Sequence, residues 1–138
     1  MNFLDYFDPL TFTIEPQKGY LSNNWTFLST ENAEKTKIKH YSLALITIST
    51  EGSEMFFNEF RKIFYRLANH TIKPYKAIDL GNLKKNATFS DTLYATRDIV
   101  EYLLEQKVRP IILADNQYIP YAVYLAYEVQ KKSVSIGA

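Results

Sequence analysis

From residue 41 onward, short apolar runs alternate with segments of helical spacing, and that alternation restricts the chain to few folds. Residues 41–48, YSLALITI, are almost continuously apolar, the mark of a strand buried on both faces as in a parallel sheet. From Glu54 the pattern turns helical: Phe56, Phe60, Ile63, Phe64 and Leu67 recur at steps of three and four and predict one apolar face. Ser53 is placed to cap this helix, and Asn69 and Pro74 to end it. Residues 75–80, YKAIDL, predict a second strand stopping at Gly81 and Asn82. Thr88 or Ser90 then caps a helix whose apolar face runs through Leu93, Thr96, Val100, Leu103 and Leu104.

Residues 108–128, VRPIILADNQYIPYAVYLAYE, complete the pattern with a strand at 109–113, a polar turn at 114–117 and a helix opening at Ile119 or Pro120. Tyr118, Tyr121, Tyr124 and Tyr127 are spaced by three, so they drift round this helix and some must point away from a sheet. Residues 133–138, SVSIGA, predict a fourth strand. The order β-α-β-α-β-α-β predicts an α/β fold. We expect three layers, α/β/α, with about four mostly parallel strands joined by right-handed crossovers.

Residues 1–40 lack such periodicity. Phe3, Leu4, Tyr6, Phe7 and Leu10 form one aromatic and apolar cluster and residues 25–27 another, predicting an irregular aromatic arm ahead of an α/β domain at 41–138. Aromatic residues make up 15% of the chain, which suits half-buried positions and interfaces. A net charge of +1 gives no electrostatic case for nucleic acid or an anionic membrane. With no cysteine, disulfides and thiolate metal sites are excluded. No apolar stretch approaches the roughly 20 residues needed to span a bilayer, and the N-terminus does not read as a secretory signal, so a cytoplasmic location is the expectation.

In open α/β sheets ligands bind beyond the C-terminal ends of the strands, which makes Asp79, Asp115 and Gln117 the candidate ligand edge. Neither Asp79 nor Asp115 has a base or nucleophile beside it in sequence. Their simpler reading is structural: Asp79 accepting loop N–H bonds, Asp115 capping the helix after it. The first strand is followed by Ser49-Thr50-Glu51-Gly52-Ser53, which is neither a GxGxxG nor a Walker sequence. Ser49, Thr50 and Ser53 could meet a phosphate, though a capped loop explains them as well. His40 and His70 have no ligand pattern around them and read as surface residues.

Taken together, several pieces resemble the arginase, agmatinase and formimidoylglutamase family of ureohydrolases, in particular the N-terminal portion of formimidoylglutamase-like members. Residues 43–48 stand where that family has its first strand, residues 58–67 resemble its IRxxLYxL helix, and Ile78-Asp79-Leu80-Gly81 its DLG strand end. Asp91-Thr92 resembles its next helix start, and Pro110-Ile111-Ile112-Leu113 the PIILGG strand before the first metal motif. The resemblance spans roughly residues 40–138. It implies the first half of an arginase-like fold and, for the family, hydrolysis of guanidino or formimino groups by a manganese pair that turns a bridging water into hydroxide.

Carried over by position, the family's GGDH motif falls on Ala114, Asp115, Asn116 and Gln117, so Gln117 stands where the metal-binding histidine belongs and both glycines are absent. A neutral amide is a poor replacement for imidazole at a transition-metal site. The DA of a later DAHxD motif would fall on Gly137 and Ala138, and the DxDxxD motif beyond them. The expectation is therefore a ureohydrolase-like region that binds no cofactor and is not catalytically competent as these 138 residues, either part of a longer chain or a degenerate domain. The other readings are an interaction or dimerising module that uses the aromatic arm and outward tyrosines, and a flavodoxin-like binder of a small ligand. A second copy or the remainder of a longer chain is the expected partner.

Overall fold

A computed structural model describes residues 1–70 and 73–129; the strand expected at 133–138 lies outside them. The fold is mixed α/β, a mostly parallel five-stranded sheet with three α-helices. In chain order the elements are β1 (Phe7–Asp8), β2 (Trp25–Phe27), β3 (Leu43–Ile48), α1 (Glu54–Phe64), β4 (Ala77–Leu83), α2 (Phe89–Glu105), β5 (Arg109–Ala114) and α3 (Ile119–Val129). Short 3-10 turns at Phe3–Asp5, Leu21–Asn23 and Ile38–His40 link the N-terminal pieces.

β3 lies between β4 and β5 and runs parallel to both, pairing Ala44 with Ile78 and Ile46 with Ile112. Residues 1–40 add the far border. β2 pairs in parallel with the first half of β4, Trp25 against Ala77 and Phe27 against Asp79, while β1 runs antiparallel to its second half, Phe7 against Leu83. β4 reaches Leu83 rather than ending at Leu80, because a register irregularity and the positive φ of Gly81 (85°) let it bend on towards β1. An added Cβ at Gly81 would meet the Asp8 carbonyl oxygen at 2.5 Å, so that approach requires glycine.

The two sheet faces bury different partners. Ala44, Ile46, Ile48, Ile78 and Leu80 pack with Ile99 and Leu103 of α2, with Phe3 and Phe7 joining them. α3 packs on α2 through Ala126, Val100 and Leu104. On the opposite face Leu45 and Ala77 meet Trp25 and Tyr65, with Phe27 and Phe64 against them. Aromatics of the N-terminal segment thus dock on this same chain, Trp25 lying edge-on to Tyr65 at 5.6 Å.

α1 departs from the sequence expectation in two ways. Its buried residues are Phe57 and Arg61, while Phe56 and Ile63 of the expected stripe are 69% and 67% exposed and Leu67 lies outward beyond the helix end. The helix also stops at Phe64, short of Asn69. The N-terminal segment takes over there: Ser22 N–H donates to the Tyr65 carbonyl, Leu21 N–H to that of Leu67, and Asn69 N–H to that of Gly19. These cross-links satisfy the groups a longer helix would have used. α2 matches its expected start and face: Thr88 Oγ1 accepts from Asp91 N–H at 3.1 Å, and Thr96, Val100, Leu103 and Leu104 are buried.

Candidate functional site

The two carboxylates expected to share a ligand edge are built into different places. Asp79 lies in the middle of β4, on the face covered by α1, and its side chain is fully enclosed. Arg61, four residues before Tyr65 and so on the same side of α1, grips it bidentately: Nε to Oδ2 at 2.7 Å and Nη2 to Oδ1 at 2.9 Å. The Tyr65 hydroxyl donates to Oδ2 at 2.7 Å, and Gly81 N–H to Oδ1 at 2.9 Å. Burial, followed by the Asp79 carboxylate, pushes the Tyr65 phenol far above its ordinary range and keeps it a donor. With four donors on Asp79 and no exposure, this cluster fixes α1 on the sheet and cannot reach a substrate.

Asp115 does stand at the C-terminal end of the strands, directly after β5. It does not cap α3. It reaches back to the loop between β3 and α1: Oδ1 accepts from Thr50 N–H at 2.8 Å and from Thr50 Oγ1 at 3.0 Å, and Oδ2 from Glu51 N–H at 2.9 Å and Ser49 Oγ at 3.1 Å. Burial alone would raise its pKa, but the Thr50 and Glu51 amides outweigh that and hold the carboxyl at about 2. Successive loop amides of this kind suit an anion, and here the chain supplies its own. Ser53 N–H is likewise taken, by Ser49 Oγ at 2.7 Å. A phosphate at this loop would have to displace a carboxylate that stays charged at neutral pH.

The rest of the expected motif follows from that closure. Ala114 is the last residue of β5, and Asn116 makes the local turn, its Oδ1 accepting from Tyr118 N–H at 2.8 Å. Gln117 is exposed beside it, as are His40 and His70 elsewhere. Both Asp115 oxygens accept from protein donors, and the exposed Gln117 ends in a neutral amide, a poor ligand for a transition metal. Among the described residues no group of three or more His, Asp or Glu side chains could hold a metal. Beside the loop, Thr47 Oγ1 donates to the Asn82 side-chain oxygen and Lys85 pairs with Glu54 at 3.3 Å. The Glu54 carboxyl is lowered by its own backbone N–H, against burial, with Lys85 helping.

Arg61 and Tyr65, missed in the sequence as partners of Asp79, left one signal: two polar-headed residues at helical spacing opposite the expected apolar stripe. No family model, curated protein or solved structure matches the chain.

Proposed function

We propose that this chain is a ureohydrolase-like α/β region, the first half of a three-layer arginase-like sheet, that has exchanged its metal chemistry for a structural closure and acts by binding. One observation carries the reading. The aspartate at the position of the first metal motif is consumed by four hydrogen bonds from the β3–α1 loop. The strand order and the helices on both faces are compatible with that family's first half, and Gln117 in place of the histidine removes the remaining ligand. Titrating the purified protein with manganese at neutral pH should give no stoichiometric heat. Hydrolysis of agmatine, arginine or formimidoylglutamate above a buffer blank, or one tightly held manganese per chain, would defeat the reading.

A second, compatible reading makes the chain an interaction module, and the outward stripe of α1 favours it. Met55, Phe56, Ile63 and Leu67 expose on the order of 500 Å² of apolar side chain, as large as the biggest apolar patch on a typical monomer. The fluorescence of an apolar dye such as anilinonaphthalene sulfonate should rise on the native protein and fall by at least half in Phe56→Gln/Ile63→Gln. No dye binding by the folded protein would remove this reading.

A further inference from the structure

Phe56, Phe60, Ile63 and Leu67 follow one another at steps of four, three and four, the spacing of a coiled-coil seam. Phe57, Arg61 and Tyr65 turn elsewhere, onto the sheet. α1 ends at Phe64, but the N–H groups of Arg66 and Leu67 still donate to the Ile63 and Phe64 carbonyls, each at 3.1 Å. This last tight turn carries the line on to Leu67. Phe56, Ile63 and Leu67 are more than half exposed, and half-buried Phe60 stacks on Phe64 at 5.5 Å. Two properties make the stripe complementary to itself. Its residues are placed symmetrically about a midpoint between Arg61 and Lys62, so Phe56 and Leu67 exchange places under a two-fold rotation, as do Phe60 and Ile63. Its outer flank carries exposed Glu59 in the first half and exposed Arg66 in the second. Along a helix those two lie about 10 Å apart, too far to pair within one chain. Among the described residues Arg66 has no ion-pair partner, and Glu59 meets Lys62 through Oε1 alone, at 3.0 Å on an open surface.

We propose that α1 pairs antiparallel with α1 of a second copy of this chain, closing the stripe on itself. This rests on the interaction reading and gives that reading its partner. Phe56 packs against Leu67 of the second copy and Phe60 against its Ile63, each contact made twice by symmetry. On the flank, Glu59 comes within about 3 Å, measured along the helix axis, of Arg66 of the second copy. Long side chains span the remaining distance, and Glu59 keeps Oε2 for this contact. A parallel pair would set Glu59 against Phe64 of the second copy and match neither charge. Charge thus selects the antiparallel order, as rim charges do at other interfaces. The four seam residues expose on the order of 400 Å² per copy. With the stems of Met55, Glu59 and Arg66 added, the two copies cover about 1,000 Å², the low end of a specific contact. A contact of that size fits dissociation on the order of 10 µM.

Sedimentation equilibrium from about 1 to about 500 µM should show the mass rising from 16.1 kDa to twice that. Over the same range the apolar dye's fluorescence per chain should fall, because the dimer covers what the monomer leaves open. Arg66→Glu, which sets like charges opposite each other, should weaken association about fivefold or more while circular dichroism and melting stay native. The exchange Glu59→Arg/Arg66→Glu should bring association back to within about threefold of the unaltered chain. Because these two residues cannot meet within one chain, such a rescue reports contact between copies. The chain has no cysteine, so a nitroxide on Met55→Cys reports orientation directly. Between copies it should read about 20 Å or more in the antiparallel order, against about 10–15 Å in a parallel one. A monomer at about 500 µM, a dimer indifferent to Arg66→Glu, a charge exchange without rescue, or the short nitroxide distance would each overturn the proposal. A monomer that still binds the apolar dye would overturn this pairing and leave the interaction reading standing. A folded chain that binds no dye at about 1 µM, where the dimer is dissociated, would remove both.

Discussion

Replacing Arg61 by methionine should be the most damaging single change outside the apolar core. The substitution keeps an unbranched side chain of similar reach, so packing changes little. It removes two hydrogen bonds of 2.7 and 2.9 Å and the cation paired with Asp79, in a place where both side chains are fully enclosed. What remains is a buried carboxylate held by Tyr65 and Gly81 alone, and breaking a buried pair in this way costs about 3–5 kcal/mol. At roughly 3–5 °C of melting temperature per kcal/mol for a chain of this size, the midpoint should fall by about 10–20 °C. Urea unfolding followed through Trp25, which sits edge-on to Tyr65, reports on this region directly. The midpoint should drop with an unchanged slope. Among the described residues no acceptor meets Arg61 Nη1, so the pair is imperfectly satisfied and its net worth is small. The apolar triple replacement Arg61→Met/Asp79→Leu/Tyr65→Phe should accordingly recover most of the loss. A cost below about 1 kcal/mol for Arg61→Met, or a triple variant as unstable as the summed singles, would refute the reasoning.

Three further outcomes follow from single residues. Asp115 titrates at about 2 in the folded chain against an ordinary 3.8, so its contribution is complete above the ordinary value and is lost as pH falls towards 2. Asp115→Asn should flatten acid unfolding across that window and lower the melting temperature at pH 7. Gly81→Ala forces a side chain to within 2.5 Å of the Asp8 carbonyl oxygen at a φ of 85°; it should cost more than about 1 kcal/mol and speed amide exchange in β1 first. Lys107 holds a φ of 62° just past α2, with Val108 N–H donating to the Leu103 carbonyl. Lys107→Gly should relieve that strain and raise stability by about 1 kcal/mol in thermal unfolding.

The elements that bury apolar residues at a regular period are legible in the sequence. β3 and β5 announced themselves as β-branched and leucine runs, and the cap at Thr88 marked α2 to within a residue. The failures share a cause. Hydrophobic spacing in α1 pointed to Phe56, Phe60, Ile63 and Leu67, yet the sheet needs Arg61 facing inward because β4 brings a carboxylate under the helix. A buried ion pair is invisible to a scale that counts charge as surface. β1 and β2, only two and three residues long, are too short to show alternation, and their positions depend on Gly81 and on a partner strand some fifty residues or more away. For Asp115, the sequence placed the residue at the right edge of the sheet but could not show that the Thr50 and Glu51 amides, more than sixty residues earlier, were already waiting for it.

The central claim, that Asp115 serves the loop and not a metal, is open to one direct measurement. In an amide-resolved NMR titration with manganese at neutral pH, the Thr50 and Glu51 resonances should keep their intensity relative to the rest of the chain. In an acid series the same two amides should shift together with a midpoint near 2. Selective broadening of Thr50, Glu51 and Asp115 at substoichiometric manganese would contradict the account, because it would put a paramagnetic ion where the loop is held to be closed.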